Sequence, residues 1–191
     1  MKKHIITISG FPGSGKSSTA KGVALRLGYE HFSSGDMFRK MAAERGLSIE
    51  EINFTAEKQK EIDFEVDKIL TEMGKEKNDF VIDSRIAFHW IPSSFKVFLD
   101  LDPRTAAERT FVQIKKEGRT SQAGASIDEV YDNTLKRIES EQKRYKNLYN
   151  IDVTDKTNFD LVVDTDIHNL EEVTDMVIAE YRKWLNAPES K

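Results

Sequence analysis

Short β-branched runs alternate with longer stretches whose apolar residues recur at helical spacing, so the chain reads as strands and helices taken in turn. His4-Ile5-Ile6-Thr7-Ile8-Ser9 has the composition of a strand buried on both faces, and Ala20, Val23, Ala24 and Leu27 then share one side of a helix that Gly28 caps. Tyr29-Glu30-His31-Phe32 reads as a second strand. Ser33-Ser34-Gly35-Asp36 reads as a helix start, with a serine cap and Asp36 near the positive end of the dipole, and the helix runs to Arg45-Gly46. A capping box at Ser48-Ile49-Glu50-Glu51 opens a short helix, and a longer one spans about Glu57 to Met73, ended by Gly74. The segment 33–78 is therefore expected to be helical and strandless.

Asp79-Phe80-Val81-Ile82-Asp83 and Phe95-Lys96-Val97-Phe98-Leu99 read as the third and fourth strands. Asp102-Pro103 caps the helix that follows, with proline at its first position, and that helix continues to about Lys116. Residues Gly118 to Ala125 are small and polar and read as a mobile loop; a capping box at Ser126-Ile127-Asp128-Glu129 then opens a long helix to about Tyr149. Asp160-Leu161-Val162-Val163-Asp164 is the fifth strand. Asn169-Leu170-Glu171-Glu172 opens a last helix with Val173, Val177, Ile178, Tyr181 and Leu185 as its apolar face, and the tail after Asn186 is expected to fray.

The 191 residues, 38% of them hydrophobic, suit one α/β core and no second independent domain. A net charge of −4, from 29 Lys+Arg against 33 Asp+Glu, gives no general drive toward nucleic acid or anionic membrane, so anion binding must come from locally clustered cations. The chain has no cysteine, which excludes disulfides and thiolate metal sites. The first strand follows Met1-Lys2-Lys3 too closely for a signal-peptide core and no run approaches a membrane span, so a cytoplasmic protein is expected.

Between the first strand and first helix, Gly10 to Ser18 fits the phosphate-loop pattern G-x-x-x-x-G-K-[ST] at Gly10, Gly15, Lys16 and Ser17. Glycines let the backbone N–H groups reach phosphate oxygens, and the helix behind them presents unpaired N–H groups and the positive end of its dipole. Lys16 is suited to the β- and γ-phosphates and the Ser17 hydroxyl to one position on Mg²⁺. Gly10, Gly13, Ser14, Gly15, Lys16, Ser17 and Ser18 are thus the expected contacts to a donor triphosphate. Asp83, at the end of the third strand, is the candidate second Mg²⁺ ligand; alone it could equally cap the next turn. Arg137, Glu141 and Arg144 share one face of the long helix, as phosphate-binding groups or as a solvated ion-pair stripe.

The phosphate loop, Ser-Gly-Asp-Met-Phe-Arg at 34–39, Asp-Ser-Arg at 83–85, Arg-Ile-x-Ser-Glu-x-x-Arg-Tyr at 137–145, Tyr-Asn-Ile-Asp at 149–152 and Asp-Leu-Val-Val-Asp-Thr at 160–165 together resemble nucleoside monophosphate kinases, over nearly the whole chain. The resemblance is strongest to the short-lid cytidylate kinases of the archaeal type. It implies a P-loop fold with a five-stranded parallel sheet in the order 2-3-1-4-5, a monophosphate-binding subdomain at 33–78 and a lid at 117–125. It further implies a cytoplasmic monomer using ATP and Mg²⁺, with CMP or dCMP as acceptor and no nucleic-acid polymer or membrane as partner. Ser34, Asp36, Arg39 and Arg85 would hold the acceptor, Arg137 and Arg144 would close over the transferring phosphoryl group, and Arg109 would lie over the donor's adenine.

The chain departs from the family pattern in two places. Phe88-His89-Trp90 stands where glycine and then tryptophan are frequent, and Gln113 stands where a second arginine is common, leaving Arg119 as the candidate substitute. For the base, Asp63 and Asp67 lie one turn apart within the acceptor subdomain, and a carboxylate there could accept from the N4 amino group of cytosine, where uracil offers only an acceptor. Phe54, Phe64 and Phe88 are candidate pocket walls; a solvated helix face is the alternative for the two acids. His31 reads as structural. An adenylate kinase, a small-molecule kinase with a non-nucleotide acceptor, and a nucleotide-gated binding protein remain open alternatives.

Overall fold

The computed structural model describes residues 2–47, 61–117 and 126–188. Five strands, β1 (Ile5–Gly10), β2 (Glu30–Ser33), β3 (Phe80–Asp83), β4 (Phe95–Asp100) and β5 (Leu161–Asp164), form one parallel sheet in the order β2-β3-β1-β4-β5, as expected. The helices are α1 (Lys16–Leu27), α2 (Ser34–Glu44), α3 (Glu61–Glu76), α4 (Ala87–Trp90), α5 (Pro103–Glu117), α6 (Ile127–Tyr149) and α7 (Leu170–Asn186), with a 3₁₀ turn at Lys156–Asn158. Neither α4 nor the 3₁₀ turn is foreshadowed by a periodic pattern; both are a single turn long. No helix among the described residues is long and apolar enough to cross a membrane.

Period-two alternation sorts the strand side chains between two apolar layers. Ile6 and Ile8 of β1, Val81 of β3 and Val97 and Leu99 of β4 face Ala20, Val23 and Ala24 of α1 and Val173, Val177 and Tyr181 of α7. Ile5, Phe80 and Ile82 face the opposite layer, built from Ile62, Val66 and Leu70 of α3, Phe88 and Ile91 around α4, and Tyr145 of α6. Because β1 pairs with β3 on one side and β4 on the other, connections leave it in opposite directions, opening a crevice at the carboxyl ends of the strands. The phosphate loop, Asp83 and Arg85 all sit at that end.

Two local expectations are corrected. Gly74 does not end its helix, which continues to Glu76; a Cβ there would lie 3.0 Å from Ile91 Cγ2, so glycine serves close helix packing, not termination. Ser33 stands at the N-cap of α2 but its hydroxyl makes no cap bond, because it donates to Asp83 instead. The capping box at Ser126/Glu129 forms as read, and the helix start read at Asn169 proves to be a capping box with Glu172. The box at Ser48, the start of the helix at Glu57, Phe54, Arg119 and the lid residues 118–125 lie outside the described residues.

Candidate active site

Gly10 ends β1 with φ of 145°, and a Cβ there would fall 2.3 Å from the Leu99 carbonyl oxygen, so only glycine lets the loop leave the sheet against β4. Gly15, at φ 82°, is the N-cap of α1, whose first residues Lys16 and Ser17 line a cleft of about 570 Å³ together with Gly13. Ser14 is buried, with no hydrogen-bond partner for its hydroxyl among the described residues, and Ser18 is exposed in the first turn of α1. Lys16 Nζ donates to the Phe11 carbonyl at 2.7 Å; burial, and then Arg85, pull its pKa well below the usual lysine range. The negative charge of an incoming anion would offset both effects.

Asp83 is the polar hub of the strand ends. Ser17 Oγ donates to its Oδ1 at 2.9 Å, Ser33 Oγ donates to the same oxygen at 3.1 Å, and His31 Nε2 lies 2.9 Å from Oδ2. A carboxylate can only accept, so the imidazole carries a proton on Nε2. Burial pushes the Asp83 pKa up, but the bonds from His31, Ser17 and Ser33 outweigh it and hold the group below its ordinary value. An ionised carboxylate beside a hydroxyl at the head of a phosphate-binding helix fits Mg²⁺, which takes one or two protein oxygens and fills its other positions with water and phosphate. The described residues contain no cluster of three His, Cys, Asp or Glu that would make an all-protein cage. His31 was read as structural; no local signal marks a strand histidine as the support of a carboxylate on the neighbouring strand, where the register pairs His31 with Val81.

The same cleft is lined by Ser34, Gly35, Phe38 and Arg39 of α2 and by the arginines Arg85, Arg137 and Arg144. Arg39 Nε donates to Asp36 Oδ1 at 3.1 Å, so these two expected acceptor residues pair with each other at the rim. The stripe on α6 divides: Arg137 Nε reaches Glu141 Oε1 at 2.9 Å as the spacing suggests, whereas Glu141 Oε2 takes Arg85 Nε at 2.5 Å. Arg85 also donates from Nη1 to the Gly10 carbonyl. Arg144 turns away to Asp63, with Nε 3.7 Å from Oδ2. Burial would raise the Glu141 pKa, but Arg85 and Arg137 outweigh it and hold it at about 2. The solvated-stripe alternative does not describe a carboxylate only 17% exposed.

Five expected residues are not among those that line this cleft. Arg109 donates from Nη2 to the Thr165 carbonyl at 2.7 Å, tying α5 to the end of β5. Phe88 is no pocket wall; it packs in the core against Phe159, with ring centroids 4.7 Å apart. Phe64 is half exposed and meets Tyr149 edge-on. Asp63 sits one side chain behind Arg144, 3% exposed, and Asp67 is buried beside it, accepting from the Tyr149 hydroxyl. Phe38 and the α5–α6 side chains Ile114, Val130 and Thr134 line the cleft and were missed, since single apolar residues in amphipathic helices read as core.

Burial pushes Asp67 up to about 6, against the Tyr149 hydrogen bond that opposes it. The sign follows from proton binding: between pH 3.8 and about 6 the folded state holds the proton more tightly than the unfolded chain, so stability falls as pH rises through that window. The gap corresponds to on the order of 3 kcal/mol above it. Asp67→Asn is therefore expected to stabilise the protein by roughly 1–3 kcal/mol at about pH 7.5 and by little near pH 4. Denaturant titrations at both pH values check this; an equal effect at the two would remove the buried-carboxylate account.

A family model described as an AAA domain matches residues 9–130. The cytidylate kinase of Halorubrum lacusprofundi is 37% identical over 178 residues, covering 92% of this chain and 88% of that protein. The cytidylate kinase of Pyrococcus abyssi is 39% identical over 162 residues, covering 84% of each. Among solved structures, shikimate kinase from Bacteroides thetaiotaomicron superimposes with a TM-score of 0.63 at 16% identity, over 96% of this chain and 98% of that one, a likeness of fold alone. More than a third of the residues are thus shared with cytidylate kinases along most of their length, on a sheet whose strand ends carry a phosphate loop faced by arginines, and the chain belongs to the cytidylate kinase family.

Proposed function

We propose that the protein transfers the γ-phosphoryl group of ATP to CMP or dCMP, forming the diphosphate and ADP. The observation that carries this reading is the cleft itself: one cavity lined both by the phosphate loop with Lys16 and by Arg39, Arg85, Arg137 and Arg144, enough cations to offset two phosphate chains. A kinase for an uncharged hydroxyl acceptor has no acceptor phosphate for Arg39 and Arg85 to hold. The acceptor phosphate is already anionic at neutral pH, so no general base is required; the protein's task is to align two repelling anions and offset their charge.

In this reading Lys16 leaves the Phe11 carbonyl for the β- and γ-phosphate oxygens. Arg85 and Arg39 hold the acceptor phosphate, and Arg137 and Arg144 meet the charge that spreads over the transferring group. Arg109, with the end of β5, borders the donor's adenine. Ser17 and Asp83 would hold Mg²⁺, which would supply charge neutralisation to the phosphates. Residues 33–78 act as the acceptor subdomain and 117–125 as the lid, whose role is to keep from the site the water that would otherwise accept the phosphoryl group.

A coupled assay of ADP release with ATP, Mg²⁺ and a panel of monophosphates tests the proposal. Turnover highest with CMP or dCMP is expected. Turnover best with AMP would overturn the acceptor assignment, and shikimate or another non-nucleotide as the only acceptor would overturn the reaction class.

The base assignment rests on Asp63. Its Oδ2 is buried with Arg144 Nε 3.7 Å away, an ion pair too long for a hydrogen bond, so among the described residues the oxygen keeps the capacity to accept one. The cytosine N4 amino group can donate it and the uracil O4 cannot. Asp63→Asn is expected to lower kcat/KM for CMP by an amount equivalent to about 1–3 kcal/mol and to narrow the CMP-to-UMP ratio, since an amide can turn its NH₂ toward uracil. An unchanged ratio would remove Asp63 as the base reader and leave the phosphotransfer reading standing.

A further inference from the structure

A carboxylate in a cleft built for anions is a liability, because it weakens the field that Lys16, Arg39, Arg85, Arg137 and Arg144 create there. Glu141 nonetheless lines that cleft, ionised and largely buried. Its geometry offers a reason. One oxygen takes Nε of Arg85, on the loop after β3, and the other takes Nε of Arg137, on α6. Both contacts use the inner nitrogen of the guanidinium, so neither consumes a terminal nitrogen through which the group could hold a phosphate. Arg85 is held at a second point, its Nη1 donating to the carbonyl of Gly10, the first residue of the phosphate loop. The donor loop, the acceptor arginine and the α6 arginine are thereby joined through one side chain. The exposures differ along this chain: Arg85 and Glu141 are 16% and 17% exposed, Arg137 is 62%, so Arg137 is the end with room to move.

We infer that Glu141 is a positioning residue that couples the two nucleotide sites, by tying the orientation of Arg85 to that of Arg137. The inference deepens the phosphotransfer reading and rests on it. When the γ-phosphate of the donor draws Arg137 inward, the shared carboxylate follows and fixes Arg85 with Nη2 toward the acceptor phosphate. By linkage the acceptor must favour the donor by the same factor. Two simpler roles differ in outcome. A merely structural ion pair changes melting temperature and leaves the coupling intact. A merely electrostatic brake, once removed, tightens both nucleotides and leaves the coupling intact.

Titration calorimetry of CMP, with and without saturating Mg²⁺ and a β,γ-imido analogue of ATP, separates these outcomes. In the unmodified protein the analogue is expected to tighten CMP roughly 5- to 50-fold. In Glu141→Gln, which keeps the size but offers one oxygen, that factor falls to within about twofold, while each nucleotide alone binds as tightly or more tightly because a negative charge has gone. Glu141→Asp retains the charge but is too short to span both guanidinium groups; it too loses the factor, without the tightening. Retention of the unmodified factor in both variants, or a factor near one in the unmodified protein, overturns the coupling while leaving the kinase reading untouched. Failure of the unmodified protein to bind either nucleotide overturns the kinase reading and this inference together.

Discussion

Lys16→Ala is expected to lower kcat/KM by at least about a hundredfold while the protein stays folded. The side chain contributes little to the fold: it lines the cleft, and the hydrogen bond that its ammonium donates to the Phe11 carbonyl is local to the loop. Its folded-state pKa lies well below the ordinary value. A base whose pKa is depressed on folding destabilises the native state at every pH below the folded value, an effect that fades only as pH approaches the unfolded value. Replacement by alanine removes that penalty, so the melting temperature at neutral pH is expected to hold or rise as activity collapses. This opposition of stability and activity is what a cation kept for binding an anion should show. Steady-state kinetics and a thermal melt on the same preparation check both halves; near-normal turnover in the variant would remove the central claim about the loop.

What was legible in the sequence is what local chemistry decides. The β-branched run before Gly10 and the spacing of Ala20, Val23 and Ala24 are local signals, and strand, loop and helix follow from them. So do the two capping boxes, in which donor and acceptor lie three residues apart. Misreadings arose where a distant partner outbid a local one. Gly74 carries a helix-stop signal, yet the approach of Ile91 across the helix interface decides its use. Ser33 is a sound cap by position, yet Asp83 on the adjacent strand takes its hydroxyl. On α6 the pair Arg137 and Glu141 was visible in the spacing, but that Arg85 would complete it and that Arg144 would leave for Asp63 depends on how β3 and α3 are placed beside that helix. Phe88 looks the same in sequence whether it walls a pocket or fills a core; Phe159 settles it.

Arg144→Ala is expected to fail in two separable ways. Arg144 and Asp63 are 13% and 4% exposed, so removing the guanidinium strands a buried carboxylate. Breaking one half of such a pair costs on the order of 3–5 kcal/mol, less whatever the acid recovers by taking up a proton. Burial already raises the Asp63 pKa, with Arg144 opposing it, so without Arg144 it must rise further and the loss of stability should grow with increasing pH. The double variant Arg144→Ala with Asp63→Asn removes the stranded charge and is expected to regain most of that stability. Turnover should not return with it. If Arg144 meets the transferring phosphoryl group mainly in the closed transition state, both variants lose kcat by roughly a hundredfold while KM for the acceptor changes far less. Denaturant melts across pH and steady-state kinetics on the single and double variants read the two effects independently. Recovery of kcat in the double variant would reduce Arg144 to a partner for Asp63 and leave Arg137 as the α6 arginine that acts on phosphate.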